Sequence, residues 1–341
     1  MTDTLIDMSN VVLHPNANQA VPTRRQEALL CDMDLPLRKT FFPLGFAVTI
    51  LTNRNQVLAA AEASFGHRNL QHGDAHLQIR IGVSESTMTQ TPPAPVRREY
   101  NHLYLMVADS ENQAVLDLRT GSNFVWLNDA AVADLLYLRH NFLEKVTYLL
   151  LGASVVTDIH AGCVSKRGKG ILLCGDSGAG KSTLSYGCAR AGWTYTSDDT
   201  CYLLNESDPP CVIGHSHWVR FRPEASFLFP ELRNRYVTQR MEGKPSIEVS
   251  VSDLARLGTL NEANVFAVVY LRRSTSTRSC LTPLPYGSAS QRLSEELYSS
   301  GEIRLKHQKV LERLAGIPTF ELHYDSLDEA ISRLNRLVES L

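Results

Sequence analysis

The sequence predicts an α/β protein in which a smaller α+β domain over residues 40–150 precedes a larger α/β domain over residues 151–341. In the second part, an apolar run leads into a glycine-rich loop, a helix and another strand, an order typical of α/β folds. The first part contains short runs of alternating polarity and one hairpin, which favour a largely antiparallel sheet. A length of 341 residues suits two domains of roughly 150 residues each.

Composition excludes several classes of protein. With 43% hydrophobic and 21% charged residues, the chain is an ordinary globular protein. A net charge of −2 gives no general attraction to nucleic acid. No apolar run approaches the ~20 residues that span a bilayer, and the first ten residues lack a signal-peptide pattern. The seven cysteines are odd in number and never spaced C-x-x-C, so we expect reduced thiols in a cytoplasmic protein.

The first part predicts a small sheet with helices. Residues 1–39 are mixed polar and are expected to be a poorly ordered lead-in or a docking arm. Alternation and turn residues predict strands at 46–51, 76–82, 102–108 and 114–118. Helical periodicity predicts helices at 55–64, with Asn53 as candidate cap, and at 129–151.

The strongest motif follows a short apolar strand at 170–174. It fits the pattern G-x-x-x-x-G-K-S/T and opens a helix over 182–191, which Gly192 is expected to end. The backbone N–H groups of such a loop, with the helix N-terminus, form a nest for phosphates. The residues expected to bind ATP here are Gly175, Asp176, Ser177, Gly178, Ala179, Gly180, Lys181, Ser182 and Thr183. The alternative, a glycine-rich turn without a ligand, leaves the Lys–Ser pair unexplained.

Within the loop, Lys181 is expected to meet the β- and γ-phosphates, and the Ser182 hydroxyl to bind Mg²⁺. The next strand, 193–197, ends at Asp198 and Asp199. Because ligands bind beyond the carboxyl ends of parallel strands, both carboxylates should lie at the edge that carries the loop. One would hold the metal, for which we take Asp199, and the other would accept the proton of an attacking hydroxyl. The residues leave this division open, and a solvated turn or helix cap is the alternative.

Three further residues are weaker candidates. His160 lies at the start of a strand-like run at 159–164, before the strand of the loop, and would reach the γ-phosphate if those two strands are neighbours. Arg222, alternating with Arg220 on a predicted strand, and Lys244 are candidate phosphate contacts. The alternative for both cations is a solvated strand face.

The segments Ile159–Gly162, Gly170–Thr183, Ala189–Trp193 and Ser197–Asp199 resemble the catalytic domain of HPr kinase/phosphorylase. The resemblance implies a P-loop kinase domain with a mixed central sheet, related to phosphoenolpyruvate carboxykinase, and a ring-like homo-oligomer. It implies that Lys181 and Ser182 bind phosphate and Mg²⁺. His160, Asp198 and Asp199 would then surround the transferred phosphoryl group. Thr183 stands where that family usually has Glu, and residues 1–150 do not resemble its N-terminal domain, so a relative of HPr kinase is expected.

These observations favour a kinase that uses ATP and Mg²⁺ to phosphorylate a hydroxyl, on a protein or peptide Ser or on a small molecule. The N-terminal domain would recognise the acceptor or an effector. The alternative is a nucleotide-binding switch or an ATPase without an acceptor, which needs one metal-binding carboxylate and a residue that positions water. A carboxykinase-like enzyme would need a second metal site, and no clear set of residues for one is present.

Overall fold

A computed structural model describes residues 33–239, 245–254, 257–274, 279–295, 297, 299 and 301–341. Lys244 and most of the predicted 1–39 arm lie outside these ranges. The chain is an α/β protein built on two mixed sheets, with a small third sheet of three strands. In the part of the chain described, every helix is too short or too polar to cross a bilayer.

The first sheet has seven strands in the order β1-β2-β3-β7-β6-β5-β4. They are β1 (Leu37–Phe41), β2 (Phe46–Thr52), β3 (His72–Ser84), β4 (Val96–Tyr100), β5 (Leu103–Val107), β6 (Gln113–Asp117) and β7 (Asn123–Asn128). The central pairs, β2–β3 and β3–β7, are parallel and the others are antiparallel. Four of the six pairings are antiparallel, as expected of a largely antiparallel sheet, but the two central pairings make the sheet mixed.

The helices beside the first sheet differ from the prediction in two places. They are α1 (Asn55–Phe65), α2 (Asp129–Ala133), α3 (Leu135–Tyr137) and α4 (Glu144–Ser154), with a π-helical segment at Leu138–Leu143. The predicted single helix over 129–151 is broken at Asp134, which is non-helical and whose side chain accepts the Tyr137 N–H at 2.9 Å. Asn53 does not cap α1. Its amide instead bonds both the N–H and the carbonyl of Val83.

The second sheet has ten strands. They are β8 (Val156–Ile159), β9 (Gly162–Lys166), β10 (Lys169–Cys174), β11 (Thr194–Ser197), β12 (Cys201–Leu204), β13 (Cys211–Gly214), β17 (Gly258–Thr259), β18 (Glu262–Arg273), β19 (Cys280–Pro283) and β20 (Thr319–Tyr324). Their order is β17-β11-β9-β10-β18-β13-β12-β8, and β20 pairs with both β18 and β19. The third sheet comprises β14 (Trp218–Phe221), β15 (Thr238–Gln239) and β16 (Pro245–Ser250).

Helices cover the second sheet on both faces. They are α5 (Lys181–Arg190), α6 (Ser288–Glu295), α7 (Gly301–Glu312) and α8 (Leu327–Ser340). Alternate residues of β10 face opposite layers: Ile171 and Leu173 pack in the cluster that holds α5 and α8, whereas Leu172 packs with α6 and α7. A strand that is covered on both faces reads as a continuous apolar run, as residues 170–174 do.

The predicted strand over 159–164 is two strands, because the chain turns at His160 and Ala161. β9 pairs with β10, whereas β8 lies at the far end of the sheet and pairs with β12. All six described cysteines are free thiols. Five of them are buried and Cys280 is exposed.

Candidate functional site

The glycine-rich loop lies between β10 and α5. Gly175, Gly178 and Gly180 have φ values of 138°, 92° and 99°, a region that other residues rarely adopt. A Cβ on Gly180 would lie 2.2 Å from the Tyr324 hydroxyl, whereas a Cβ on Gly178 would meet no atom within 4 Å. Gly180 is therefore required for close packing, and the space above Gly178 is open.

Two side chains hold this loop. The Tyr324 hydroxyl donates to the Ala179 carbonyl at 2.6 Å. Lys181 is buried, and its ammonium donates to the carbonyls of Gly175 and Asp176 at 2.6 and 3.3 Å. Asp176 and Ser177 are exposed, and Thr183 is half-buried in the first turn of α5. Tyr324 and Lys181 thus hold the loop on one side. Its other side, at the exposed residues 176–178, is its open front.

The Asp198–Asp199 turn approaches the start of α5, because the Ser182 hydroxyl lies 3.5 Å from the Asp198 carbonyl. The Asp198 carboxyl is buried and faces away from solvent. It lies 3.0 Å from the Tyr195 hydroxyl and accepts the Arg220 backbone N–H at 3.2 Å. Burial, with repulsion from Asp199, raises the pKa of Asp198 to about 6.

Asp199 has a different environment. Its side chain is 37% exposed, and its Oδ1 lies 3.6 Å from Nδ1 of His160. Two pairings bring these residues together: β8 with β12, where Ile159 faces Cys201, and β9 with β11. The turn at 160–161 therefore faces the turn at 198–200. His160 reaches this position although β8 does not neighbour the strand of the loop.

The remaining predicted cations are placed differently. The backbone N–H of Arg220 contacts the Asp198 carboxyl, while its guanidinium forms an ion pair with Glu248 at 2.7 Å. Arg222 is exposed and lies after β14, beside the 3₁₀ turn Pro223–Phe227. β14 ends at Phe221, so Arg222 lies one residue beyond the strand that holds Arg220, with its backbone still extended. Lys244 lies outside the described residues.

Sequence reasoning missed the residues that border the loop from β18 and β20. Arg272 and Arg273 end β18, and Tyr324 ends β20. Both strands run parallel to β10 or to its neighbour. The apolar run at 265–271 followed by two arginines was a usable signal, because residues at the carboxyl ends of parallel strands gather at one edge.

No cluster of three His, Cys, Asp or Glu side chains within the described ranges forms a ready-made metal cage. Mg²⁺ does not need one, since it keeps several waters and is held by one or two protein oxygens and substrate phosphates. The Ser182 hydroxyl at the loop and the half-exposed Asp199 carboxylate are oxygen donors of the required kind. The residues present therefore fit Mg²⁺ delivered with a nucleotide.

The structure is similar to that of the Hpr(Ser) kinase/phosphatase from Coxiella burnetii, with 15% sequence identity and a TM-score of 0.31. The match covers 54% of this chain and 99% of the other. No protein-family model matches the sequence. No curated protein matches it either. A match with a TM-score this low assigns no role to any residue of this chain.

Proposed function

We propose that the chain is a kinase that transfers the γ-phosphoryl group of ATP to a hydroxyl, on a Ser of a protein or peptide or on a small molecule. The supporting observation is that the loop bearing Lys181 and Ser182 adjoins the turn of Asp199, whose carboxylate faces His160. An anion-binding loop beside an exposed carboxylate–imidazole pair combines the two requirements of such a reaction: a phosphate cradle and a group that accepts the hydroxyl proton.

The nucleotide would bind along the open front of the loop. Its phosphates would accept hydrogen bonds from loop N–H groups and gain from the N-terminal dipole of α5, a helix of 10 residues. Lys181 now bonds neutral carbonyls, and a phosphate oxygen is a stronger partner for its ammonium. Mg²⁺, held through the Ser182 hydroxyl, would neutralise charge on the phosphates.

The surroundings of the two carboxyls support a division of roles. Asp198 is buried with hydrogen-bonding partners near both oxygens, so we assign it the positioning of the 198–199 turn against β14. Asp199 is accessible, and His160 beside it can orient its carboxylate. Both Asp199 and Ser182 could donate an oxygen to Mg²⁺, but a carboxylate that coordinates Mg²⁺ is a weaker base. We therefore assign proton acceptance to Asp199 and leave the metal to the Ser182 hydroxyl and the phosphates.

Transfer can be tested with ATP labelled in its γ-phosphate, Mg²⁺, and either a cell extract or a panel of Ser peptides and polyols. We expect label on an acceptor with the unaltered chain and none with Lys181→Ala. Release of labelled phosphate alone, from every acceptor mixture, would favour the ATPase or switch and contradict the kinase.

The role of Asp199 can be separated from metal binding by titrating Mg²⁺. We expect Asp199→Asn to lower kcat by about 10²–10⁴-fold with an unchanged half-saturating Mg²⁺ concentration. Glu206→Gln removes an exposed carboxylate beyond the other end of β12 and is the matched control. A large rise in the Mg²⁺ requirement of Asp199→Asn, with kcat restored at high Mg²⁺, would make Asp199 a metal ligand instead.

A further inference from the structure

The strands β10, β18 and β20 are neighbours and run parallel, so their carboxyl ends lie at one edge of the second sheet. Cys174 of β10 pairs with Tyr270 of β18, and Arg273 of β18 pairs with Tyr324 of β20. The glycine-rich loop, Arg272 and Arg273 therefore emerge together. The Arg272 Nη1 lies 3.7 Å from Oδ2 of Asp176, the second residue of the loop. Arg272 is thus a neighbour of the loop itself.

The carboxylate of Glu321 contacts three basic side chains at this edge. The carboxylate of Glu321 lies 3.6 Å from Nε of Arg272, 3.4 Å from Nη1 of Arg292 and 2.8 Å from Nε2 of His323. Burial acts to raise the pKa of Glu321, but its hydrogen bonds from His323 and Arg292 lower it overall. Glu321 is therefore ionised, and it supports the Nε side of Arg272.

Charges of both signs meet at this edge. The cations Arg272, Arg273 and Arg292 lie there with the carboxylates of Asp176 and Glu321, and Asp325 directly follows β20. The pair between Arg272 and Asp176 is solvent-exposed, with side chains 55% and 85% accessible. An exposed pair at this distance contributes little to stability, so Arg272 can exchange Asp176 for a stronger anion.

The position of Lys181 indicates which part of a nucleotide Arg272 would meet. In loops of this pattern the lysine reaches the β- and γ-phosphates. Here its ammonium lies against the carbonyls of Gly175 and Asp176, and Asp176 is the residue whose carboxylate faces Arg272. Arg272 therefore borders the end of the loop that faces the terminal phosphate, away from the α5 start.

We propose that Arg272 binds the γ-phosphate of a nucleoside triphosphate, with Glu321 orienting its guanidinium and Asp176 as its partner when no nucleotide is bound. The proposal rests on the proposed function in one respect, that the loop binds nucleotide phosphates. Its consequence is specificity: the chain distinguishes a triphosphate from a diphosphate through a residue outside the loop. A guanidinium suits this role because its N–H groups can contact two phosphate oxygens at once.

The test is calorimetric titration of the unaltered chain, Arg272→Gln and Arg292→Gln with ATP and with ADP, each with Mg²⁺. We expect Arg272→Gln to raise the Kd for ATP about 10- to 100-fold, the range for hydrogen bonds to a charged group, and to leave the Kd for ADP within about twofold. Arg292→Gln removes a cation from the same glutamate without touching Asp176. We expect it to change neither Kd by more than about threefold.

The outcomes separate this proposal from the proposed function. In one outcome, Lys181→Ala abolishes nucleotide binding, but Arg272→Gln has the same Kd for ATP and the same Kd for ADP as the unaltered chain. That outcome would overturn only the role of Arg272. An equal loss for both nucleotides would also overturn it, since a contact with the γ-phosphate cannot weaken ADP binding. Failure of the unaltered chain to bind either nucleotide would overturn both. Arg272→Lys is a conservative second variant, because it keeps the positive charge but lacks the paired N–H groups of the guanidinium. We expect it to lose less ATP affinity than Arg272→Gln.

Discussion

The close approach of Gly180 to Tyr324 allows a quantitative prediction about how much the glycine-rich loop contributes to stability. In Gly180→Ala the new methyl group would lie 2.2 Å from the Tyr324 hydroxyl, which is buried and bonded to the Ala179 carbonyl. Alanine at φ 99° costs about 1–2 kcal/mol in backbone strain. Displacing the buried hydroxyl from its partner costs a further 1–3 kcal/mol or so. We therefore expect Gly180→Ala to lower the free energy of unfolding by about 2–5 kcal/mol.

Removing the hydroxyl should relieve part of this loss. In Tyr324→Phe the nearest ring atom would be the one at the Cζ position, 3.5 Å from the new methyl group, which is an ordinary contact. Tyr324→Phe alone loses one hydrogen bond, about 1 kcal/mol. The double variant retains the backbone strain and that lost bond, so we expect it to be about 1–3 kcal/mol more stable than the sum of the single losses.

Urea unfolding at equilibrium measures all the required free energies. Gly178→Ala is the matched control, because it has a similar φ of 92° and its methyl group would meet no atom within 4 Å. It should lose only the backbone cost of about 1–2 kcal/mol and be additive with Tyr324→Phe. If Gly180→Ala and Tyr324→Phe were additive to within about 0.5 kcal/mol, the hydroxyl would not hold the loop and this reasoning would fail.

Two further predictions test individual side chains. Asn53→Asp keeps a side-chain oxygen able to cap α1 but loses the N–H that bonds the Val83 carbonyl. We expect the free energy of unfolding, measured in urea, to fall by about 1–3 kcal/mol. Unchanged stability would indicate that Asn53 acts as a helix cap instead. Because the pKa of Asp198 is raised from 3.8 to about 6 on folding, its contribution to stability is complete below about pH 4 and is lost as the pH rises through 6. Across that interval, we expect the free energy of unfolding of the unaltered chain to fall by about 3 kcal/mol more than that of Asp198→Asn. Urea unfolding of both proteins at several pH values measures this difference, and parallel pH profiles would contradict the raised pKa.

Local sequence signals predicted much of the second sheet. The apolar run at 170–174 is β10, and the basic turn before it is a hairpin in which Arg167 and Gly168 both have positive φ. Gly192 follows α5 with φ 82°, as expected of a residue that ends a helix. Each of these features depends on residues close together in the chain, so a short window contains the information.

Features that depend on distant partners were not predictable in this way. The proximity of His160 and Asp199 requires two strand pairings that a window around either residue does not contain. The break at Asp134 is a local feature instead: its side chain accepts the Tyr137 N–H, which competes with the helical periodicity of the apolar residues around it. The parallel centre of the first sheet depends on β7 inserting beside β3, across residues 85–122.

The candidate site shows the same division. The motif predicted an anion-binding role for Lys181 and Ser182, and that prediction depends only on residues within the motif. The different surroundings of Asp198 and Asp199 come from Tyr195 and Arg220, which only folding brings to the first carboxyl. Arg272 likewise reaches the loop through a parallel pairing.

The central claim is that this chain moves a phosphoryl group onto a hydroxyl rather than onto water. The most direct measurement follows γ-labelled ATP in one reaction and compares the label on an acceptor with the label released as free phosphate. The account predicts acceptor-bound label in an ester linkage, formed by the unaltered chain and by Glu206→Gln and lost in both Lys181→Ala and Asp199→Asn. Label found only as free phosphate, or transfer that Asp199→Asn carries out at the rate of the unaltered chain, would contradict it.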